Sequence, residues 1–130
     1  MPKRLIIDLD GTLAEEIPAG GDYRTAHPNP RVLDKLRRYK AAGFEIIIAT
    51  SRNMRTYDNS IGKINARTLP AIVAWLDRHA IPYDEIHVGK PWCGHEGFYV
   101  DDKAIRPSEF RRLDYAGIVK LLADEKNGAE

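Results

Sequence analysis

The 130-residue sequence has little of several features that mark particular protein classes. Its single cysteine, Cys93, excludes an internal disulfide framework and indicates a reducing compartment. No apolar run approaches the roughly 20 residues of a membrane-spanning helix, and the N-terminal run at residues 5–7 is too short for a signal peptide. The formal net charge of +1 is too small to create a positive field that would attract nucleic acid or an anionic membrane. We therefore expect a cytoplasmic protein without nucleic-acid or membrane partners.

The composition is that of a globular domain, with 43% hydrophobic and 30% charged residues. The sequence shows no internal repeat, low-complexity tract or linker. We expect a single domain over residues 1–123, which is long enough for a hydrophobic core. The polar tail at residues 124–130 is expected to fray.

Strand-like and helix-like segments alternate along the chain. Apolar runs predict strands at residues 5–9, 44–49, 83–88 and 97–100. Helices are predicted from Asn29-Pro30 to Gly43, from Thr68 with Pro70, and over residues 115–123, with a short helical turn at 107–110. This order predicts an α/β fold, a three-layer Rossmann-like arrangement with a mainly parallel sheet and helices on both faces.

Two carboxylates lie at the C-terminal end of the first predicted strand. Asp8 and Asp10 are one residue apart, and residues i and i+2 of an extended chain face the same way, so both can reach one small volume. Gly11 then allows a sharp turn. Two close carboxylates repel each other, and Mg²⁺ removes that repulsion because it is a hard cation that binds oxygen ligands and phosphate. The plainer interpretation of this segment alone is an Asp-Gly turn without a metal.

Polar side chains follow the other predicted strands as well. They are Thr50, Ser51 and Arg52 after the second strand, Lys90 after the third, and Asp101 and Asp102 after the fourth. In a parallel α/β sheet these strand ends share one edge, where ligands bind. Carboxylates hold Mg²⁺, hydroxyl and ammonium groups hold phosphate oxygens, and a carboxylate can attack phosphorus. The set indicates phosphoryl-transfer chemistry.

The same residues resemble the four motifs of the haloacid dehalogenase superfamily phosphatases. The matching segments, in family order within about residues 3–123, are Asp8-Leu9-Asp10-Gly11-Thr12, Thr50, Lys90 and Phe98-Tyr99-Val100-Asp101-Asp102. Residues 51–57 and 89–97 also resemble a bacterial subgroup described as capsule or polysaccharide biosynthesis phosphatases. The resemblance implies a Mg²⁺-dependent phosphomonoesterase, with a phosphorylated sugar of such biosynthesis as the substrate.

The resemblance also implies catalytic roles. Asp8 would be the nucleophile that forms an aspartyl-phosphate, and Asp10 would be the general acid for the leaving alkoxide and then the general base for water. Thr50 would hydrogen-bond the phosphoryl group, and Lys90 would neutralise the charge of Asp8 and phosphate.

The metal ligands implied by the resemblance are Asp8, the backbone carbonyl of Asp10, and Asp101. Asp102 would either bind the metal through water or orient Lys90, and these two roles stay open. The implied cofactor is Mg²⁺.

Many family members carry a separate cap domain over the site. Here the stretch from Asp10 to Thr50 holds a flap at residues 14–28 and one helix, and the stretch after Thr50 holds a loop and one helix. We therefore expect a capless protein with an open site. Such a site fits a large or extended substrate, or a lid from another subunit. The expected partner is a small or extended phosphorylated substrate, and a homo-oligomer also stays open.

Side chains just beyond the strand ends are candidates for substrate binding. Arginine forks match phosphate or carboxylate groups, and aromatic rings stack on sugars or bases. The candidates are Ser51, Arg52, Asn53, Arg55, Trp92 and His95. A solvated loop after Thr50 and a packed turn after Lys90 are the alternative interpretations.

Two other functions use similar residues. A phosphotransferase or mutase would pass the phosphoryl group to an acceptor other than water. A receiver module of a signalling protein also combines an acidic pair, an acceptor aspartate, threonine and lysine. Its acceptor ends a later strand, however, where this chain has Thr50. Phosphorylated sugars, sugar acids, polyols and nucleotides all remain open as substrates.

Overall fold

The computed structural model of the chain describes residues 3–18 and 20–128. Its sheet has three parallel strands in the order β1-β2-β3, namely β1 (Arg4–Ile7), β2 (Glu45–Thr50) and β3 (Glu85–Val88). The helices are α1 (Pro30–Ala41), α2 (Ile61–Lys63), α3 (Leu69–Arg78), α4 (Pro107–Arg112) and α5 (Tyr115–Lys126). The predicted parallel α/β fold is confirmed, and the described residues form no separate cap domain.

Strand β2 is the centre of the sheet and is covered on both faces. Its residues Ile46, Ile47 and Ile48 are all buried, although neighbouring side chains of a strand point to opposite faces. Ile47 pairs with Ile6 of β1, and Ile48 pairs with Ile86 of β3. An uninterrupted apolar run of this kind is typical of a parallel strand between two layers of helices.

Helix α1 begins and ends where the sequence predicts. The side chain of Asn29 accepts hydrogen bonds from the backbone N–H groups of Arg31 and Val32, and Pro30 occupies the first turn. After the helix, Gly43 has φ +95°, a conformation that L-residues with a side chain rarely adopt. The buried face of α1 consists of Val32, Leu33, Leu36 and Tyr39.

The helical region between β2 and β3 begins earlier than predicted. It starts at α2, continues through a π-helical segment at Ile64–Thr68, and passes directly into α3, whereas we expected a helix start at Thr68. Ser60 is the true N-cap, because its Oγ accepts a hydrogen bond from the backbone N–H of Lys63. The buried residues Ile64, Thr68, Ile72 and Leu76 lie four apart and form one helical face.

The flap at residues 14–28, of which Ala19 lies outside the described residues, is attached to α3. It contains a short 3₁₀ turn at Tyr23–Thr25. The buried Trp75 donates its indole N–H to the carbonyl of Ala26 at 2.9 Å, and Arg78 donates to the carbonyl of Arg24 at 3.0 Å. These bonds fix the end of the flap that leads into α1.

The chain divides into two compact units, Met1–Trp92 and Cys93–Glu130. The first unit contains the sheet, the flap and helices α1 to α3, and the second contains α4 and α5. Among the described residues, no helix combines the length and apolar character needed to cross a membrane.

The predicted fourth strand at residues 97–100 is wrong. The described chain forms no strand there, and Phe98, Tyr99 and Val100 are exposed, with Val100 at 89%. The Phe-Tyr-Val composition favours a strand, but such residues form one only against a pairing neighbour and a surface to pack on. Helix α5 in turn runs to Lys126, so residues 124–126 of the predicted frayed tail are helical, and residues 129–130 lie outside the described chain.

Candidate active site

Asp8 and Asp10 lie in a tight turn directly after β1, which ends at Ile7 and not at Leu9 as predicted. Leu9 between them is fully buried, so its side chain packs into the core while the two aspartates are only partly buried. The carbonyl of Leu9 accepts hydrogen bonds from the N–H groups of Thr12 and Ala14, at 3.3 and 2.8 Å. Gly11 has φ +80° and allows this reversal.

Asp8 has a cationic and a hydroxyl partner. The ammonium of Lys90 lies 3.5 Å from Oδ1, and the hydroxyl of Thr12 donates to Oδ2 at 3.2 Å. Both contacts are longer than a tight charge-assisted hydrogen bond. The side chain of Asp8 is about one-third exposed, so it is accessible to a ligand while its charge is balanced.

Thr50 and Lys90 end neighbouring strands and are linked through the backbone. The N–H of Lys90 donates to the carbonyl of Thr50 at 3.1 Å. This hydrogen bond extends the β2–β3 pairing beyond its last residue pair, Thr50 and Val88. Gly89, immediately before Lys90, has φ +84°, and a Cβ atom at this position would overlap the side chain of Ile61. The hydroxyl of the buried Thr50 accepts a hydrogen bond from the backbone N–H of Arg52 at 3.0 Å.

Asp10 is paired with Arg52. The guanidinium donates from Nε to Oδ2 at 3.0 Å and from Nη2 to Oδ1 at 2.7 Å. Its Cζ lies 4.2 Å from the ring centre of Tyr23, which belongs to the flap. Arg52 was predicted as a substrate contact, and the structure places its buried guanidinium in an ion pair with the partly exposed carboxylate of Asp10.

The loop at residues 51–60 has a strained backbone. Asn53, Asp58 and Asn59 have positive φ values, which asparagine and aspartate tolerate better than most residues. The amide of Asn53 accepts from the hydroxyl of Thr68 at 2.8 Å and donates to Thr56 at 3.2 Å. Asn53 therefore holds the loop to the π-helical segment.

Arg55 and Trp92, both predicted as substrate-binding residues, lie together. The guanidinium carbon of Arg55 is 5.8 Å from the centre of the Trp92 ring, within the range of a cation–π contact. Both side chains are exposed. Ser51 is partly buried, and its carbonyl accepts a hydrogen bond from the N–H of Met54.

The remaining predicted residues, His95, Asp101 and Asp102, belong to the second unit and are exposed there. A carboxylate oxygen of Asp101 accepts a hydrogen bond from the N–H of Lys103 at 2.8 Å. No group of three or more His, Cys, Asp or Glu side chains is arranged to hold a metal ion among residues 3–18 and 20–128.

Sequence reasoning did not assign Thr12 or Tyr23 to the site. Thr12 lies inside the Asp-x-Asp-Gly-Thr segment, so its proximity to Asp8 could have been inferred from the turn that Gly11 permits. The role of Tyr23 could not be predicted from any local pattern. Its contact with Arg52 joins a flap residue to a strand end almost 30 positions away and depends on tertiary packing.

The structure is that of an α/β protein with an acidic and lysine-bearing site at the carboxyl ends of its parallel strands. The family model described as haloacid dehalogenase-like hydrolase matches residues 5–74, which is more than half of the chain. The chain belongs to this family of hydrolases.

Two solved structures resemble the chain. A Vibrio cholerae structural-genomics target of known crystal structure is 55% identical, covers 95% of this chain and 98% of its own, and superposes with a TM-score of 0.91. A chain in the structure of a Pnkp1/Rnl/Hen1 complex is 22% identical, with a TM-score of 0.50, over 86% of this chain and 34% of its own. The second likeness shows the fold alone. No curated protein matches the sequence.

Proposed function

We propose that the protein is a phosphomonoesterase that works through an aspartyl-phosphate on Asp8. The observation that carries the proposal is the environment of this carboxylate, which is partly exposed at the end of β1 with Lys90 and Thr12 on its two oxygens. An accessible carboxylate beside an ammonium group is suited to attack a phosphorus atom, because the ammonium also attracts phosphate oxygens.

The proposed reaction has two steps. The Asp8 carboxylate attacks phosphorus, the bond to the ester oxygen breaks, and protonated Asp10 gives its proton to the leaving alkoxide. Asp10 then takes a proton from water, whose oxygen attacks phosphorus and releases inorganic phosphate and free Asp8. The hydroxyl of Thr50 and the ammonium of Lys90 hold the phosphoryl oxygens in both steps.

The proposed cofactor is Mg²⁺, which the haloacid dehalogenase superfamily generally uses. The donor chemistry fits, because Asp8 and the backbone carbonyl of Asp10 offer hard oxygen atoms. Asp101, with Asp102 beside it, completes the proposed ligand set on the strength of its sequence motif. When bound, Mg²⁺ would supply positive charge that offsets the charge of the phosphoryl group.

For the substrate we propose a phosphorylated sugar of capsule or polysaccharide biosynthesis. The resemblance of residues 51–57 and 89–97 to that subgroup supports this class. The exposed pair of Arg55 and Trp92 also supports it, since an indole face and a guanidinium suit a sugar ring and its polar groups.

The test is phosphate release by wild-type protein and Asp8→Asn from a panel of phosphorylated sugars, sugar acids, polyols and nucleotides with Mg²⁺. Asp8→Asn should lower kcat/KM at least about 100-fold, which is about 2.7 kcal/mol of barrier, with an unchanged fold by circular dichroism. Asp34→Asn, on the exposed face of α1, is the matched control and should retain full activity. Retention of more than about a tenth of the wild-type rate by Asp8→Asn would contradict the nucleophile assignment.

A further inference from the structure

Arg52 is unusual among the cationic residues of the described chain because its charged group is buried. Its side chain is only 3% exposed, whereas arginine is almost never fully buried unless it is paired. Removing a guanidinium from water costs several kcal/mol, and this cost is recovered only when excellent hydrogen bonds satisfy the charge. The position of Arg52 therefore depends on its partners.

Those partners hold the guanidinium in one orientation. Two parallel hydrogen bonds, 3.0 and 2.7 Å long, join its Nε and Nη2 to the two carboxylate oxygens of Asp10. The ring of Tyr23 covers a face of the guanidinium, and the backbone N–H of Arg52 is tied to Thr50. A planar fork bound to both oxygens fixes the plane of the carboxylate, which a single charge on a flexible chain cannot do.

This geometry argues against a substrate contact. The Nε and Nη2 atoms bind Asp10, and the side chain of Arg52 is only 3% exposed, so an anionic substrate can reach little of the guanidinium. Arg55, by contrast, is exposed beside Trp92 and is the better candidate for such a contact.

We propose that Arg52 is a positioning residue that orients the carboxylate of Asp10 for proton transfer, with Tyr23 of the flap holding Arg52 in place. The inference rests on the proposed function of Asp10 as the general acid and base. General acid–base catalysis contributes about 10²–10⁴-fold and requires the carboxyl group to lie within hydrogen-bond reach of the leaving oxygen. A carboxylate that turns freely would lose part of this factor.

The proposal predicts a dependence on the leaving group that a purely structural role would not produce. Phenyl phosphate and 4-nitrophenyl phosphate are similar in size, but nitrophenolate leaves as a stable anion and needs a proton far less. In Arg52→Lys, kcat/KM for phenyl phosphate should fall at least about tenfold more than kcat/KM for 4-nitrophenyl phosphate. The lysine retains the charge but not the fork.

A second readout follows the hydrolysis of the aspartyl-phosphate. Asp10 must also take a proton from water in that step, so Arg52→Lys should show a burst of nitrophenol equal to the enzyme concentration, followed by slow turnover. Tyr23→Ala removes only the ring that covers the guanidinium, and it should show the same leaving-group effect to a smaller degree. If Arg52→Lys fails to fold, Tyr23→Ala decides the question.

The outcomes separate this inference from the proposed function. Asp8→Asn is measured on the same two esters. If wild-type turnover does not depend on Asp8, the proposed function fails and this inference fails with it. If turnover depends on Asp8 but folded Arg52→Lys loses equal factors on both esters, or changes KM alone, Arg52 does not position Asp10 and the proposed function still stands.

Discussion

At the residue scale, the two carboxylates after β1 are held in different ways. Asp8 has contacts of 3.5 and 3.2 Å with Lys90 and Thr12, whereas Asp10 is held by a fork with a bond of 2.7 Å. A nucleophile must approach phosphorus and therefore benefits from loose contacts, and a proton donor benefits from a fixed direction. The two sets of partners match the two proposed roles.

Arg55 is expected to recognise the part of the substrate beyond the phosphoryl group. Arg55→Ala should raise KM for the true substrate roughly tenfold, about the 1.4 kcal/mol of one charge-assisted contact. Turnover of 4-nitrophenyl phosphate should stay nearly unchanged, because that ester offers little beyond its phosphoryl group. Steady-state kinetics of one variant on both substrates makes the comparison.

Arg38→Ala is the matched control, since Arg38 is exposed on α1, where its guanidinium pairs with Asp34 of the same helix. It should leave both substrates unaffected. Equal losses on the two substrates in Arg55→Ala would mean that Arg55 supports the catalytic groups or the fold and does not select the substrate.

The sequence allowed the strand-end residues to be predicted but not their pairing. Side-chain alternation in a strand brings Asp8 and Asp10 to one side, and the parallel-sheet rule brings Thr50 and Lys90 to the same edge. Neither rule says which cation faces which carboxylate. The pairing depends on tertiary packing around each side chain. For Arg52 this packing includes Tyr23 of the flap, which no local sequence pattern connects to it.

At the element scale, Asp84 joins the beginning of β3 to β2. Its carboxylate accepts hydrogen bonds from the ammonium of Lys40 at 2.7 and 2.8 Å and from the N–H of Ile46 at 2.8 Å. The hydrogen bond from Lys40, followed by that from Ile46, lowers the pKa of Asp84 below its ordinary value. The folded state therefore favours the charged carboxylate.

This lowered pKa predicts a pH-dependent contribution to stability. The contribution is fully present above the unfolded-state pKa of about 3.9 and is lost as the pH falls through the lower folded-state value. Asp84→Asn should therefore lower Tm at pH 7, and the difference from wild type should shrink below about pH 4. Thermal unfolding followed by circular dichroism at several pH values measures the difference.

Asp34→Asn again serves as the control, because the Asp34–Arg38 pair is an exposed contact within one helix and contributes little. A Tm difference for Asp84→Asn that is the same at pH 7 and pH 3 would show that packing or geometry, and not the charge of Asp84, accounts for the effect.

Local signals predicted some elements well and misplaced others. Helix α1 has its N-cap asparagine, its proline and its terminal glycine in the sequence itself, so both ends were predicted. Phe98, Tyr99 and Val100 have strand-forming side chains but form no strand in the structure, since strand pairing is decided by residues distant in the sequence. Ser60 was not predicted as an N-cap, because the buried residues that follow it, beginning with Ile64, are separated by polar residues and do not form an obvious apolar pattern.

At the scale of the whole molecule, the two units differ in what they contain. The first unit holds the sheet and most of the buried apolar residues, and the second buries Phe110 and Ile118 on its two helices. This division was not predicted from the sequence, although residues 89–97 contain three glycines and a proline, a composition typical of a domain boundary. Mg²⁺ bound by the proposed ligands Asp8, Asp10 and Asp101 would stabilise the folded chain.

Mg²⁺ is therefore expected to affect stability as well as activity. The proposed ligands are all hard oxygen atoms, which suit Mg²⁺. Excess chelator should therefore abolish phosphate release, and added Mg²⁺ should restore it. A metal that binds only the folded chain at about 100 times its Kd adds about 2.7 kcal/mol to the free energy of unfolding, so Mg²⁺ should also raise Tm.

Variants of acidic residues in the second unit test whether Asp101 is a ligand of the metal. Asp101→Asn should reduce the Mg²⁺-dependent rise in Tm, whereas Asp124→Asn, an exposed position on α5 paired with Lys120, should leave it unchanged. Full activity in excess chelator would contradict the metal proposal, and an unchanged rise in Tm for Asp101→Asn would remove Asp101 from the ligand set.

The attachment of the flap to α3 has a spectroscopic consequence. The chain has two tryptophans, and Trp75, at 1% exposed and bound to the carbonyl of Ala26, is shielded from water, whereas Trp92 is 40% exposed beside Arg55. Their fluorescence should separate into a short-wavelength component that acrylamide barely quenches and a long-wavelength component that it quenches readily. Displacement of the flap would shift the first component, and a ligand stacked near Arg55 would protect the second. The wild-type chain thus carries a separate optical reporter for each region.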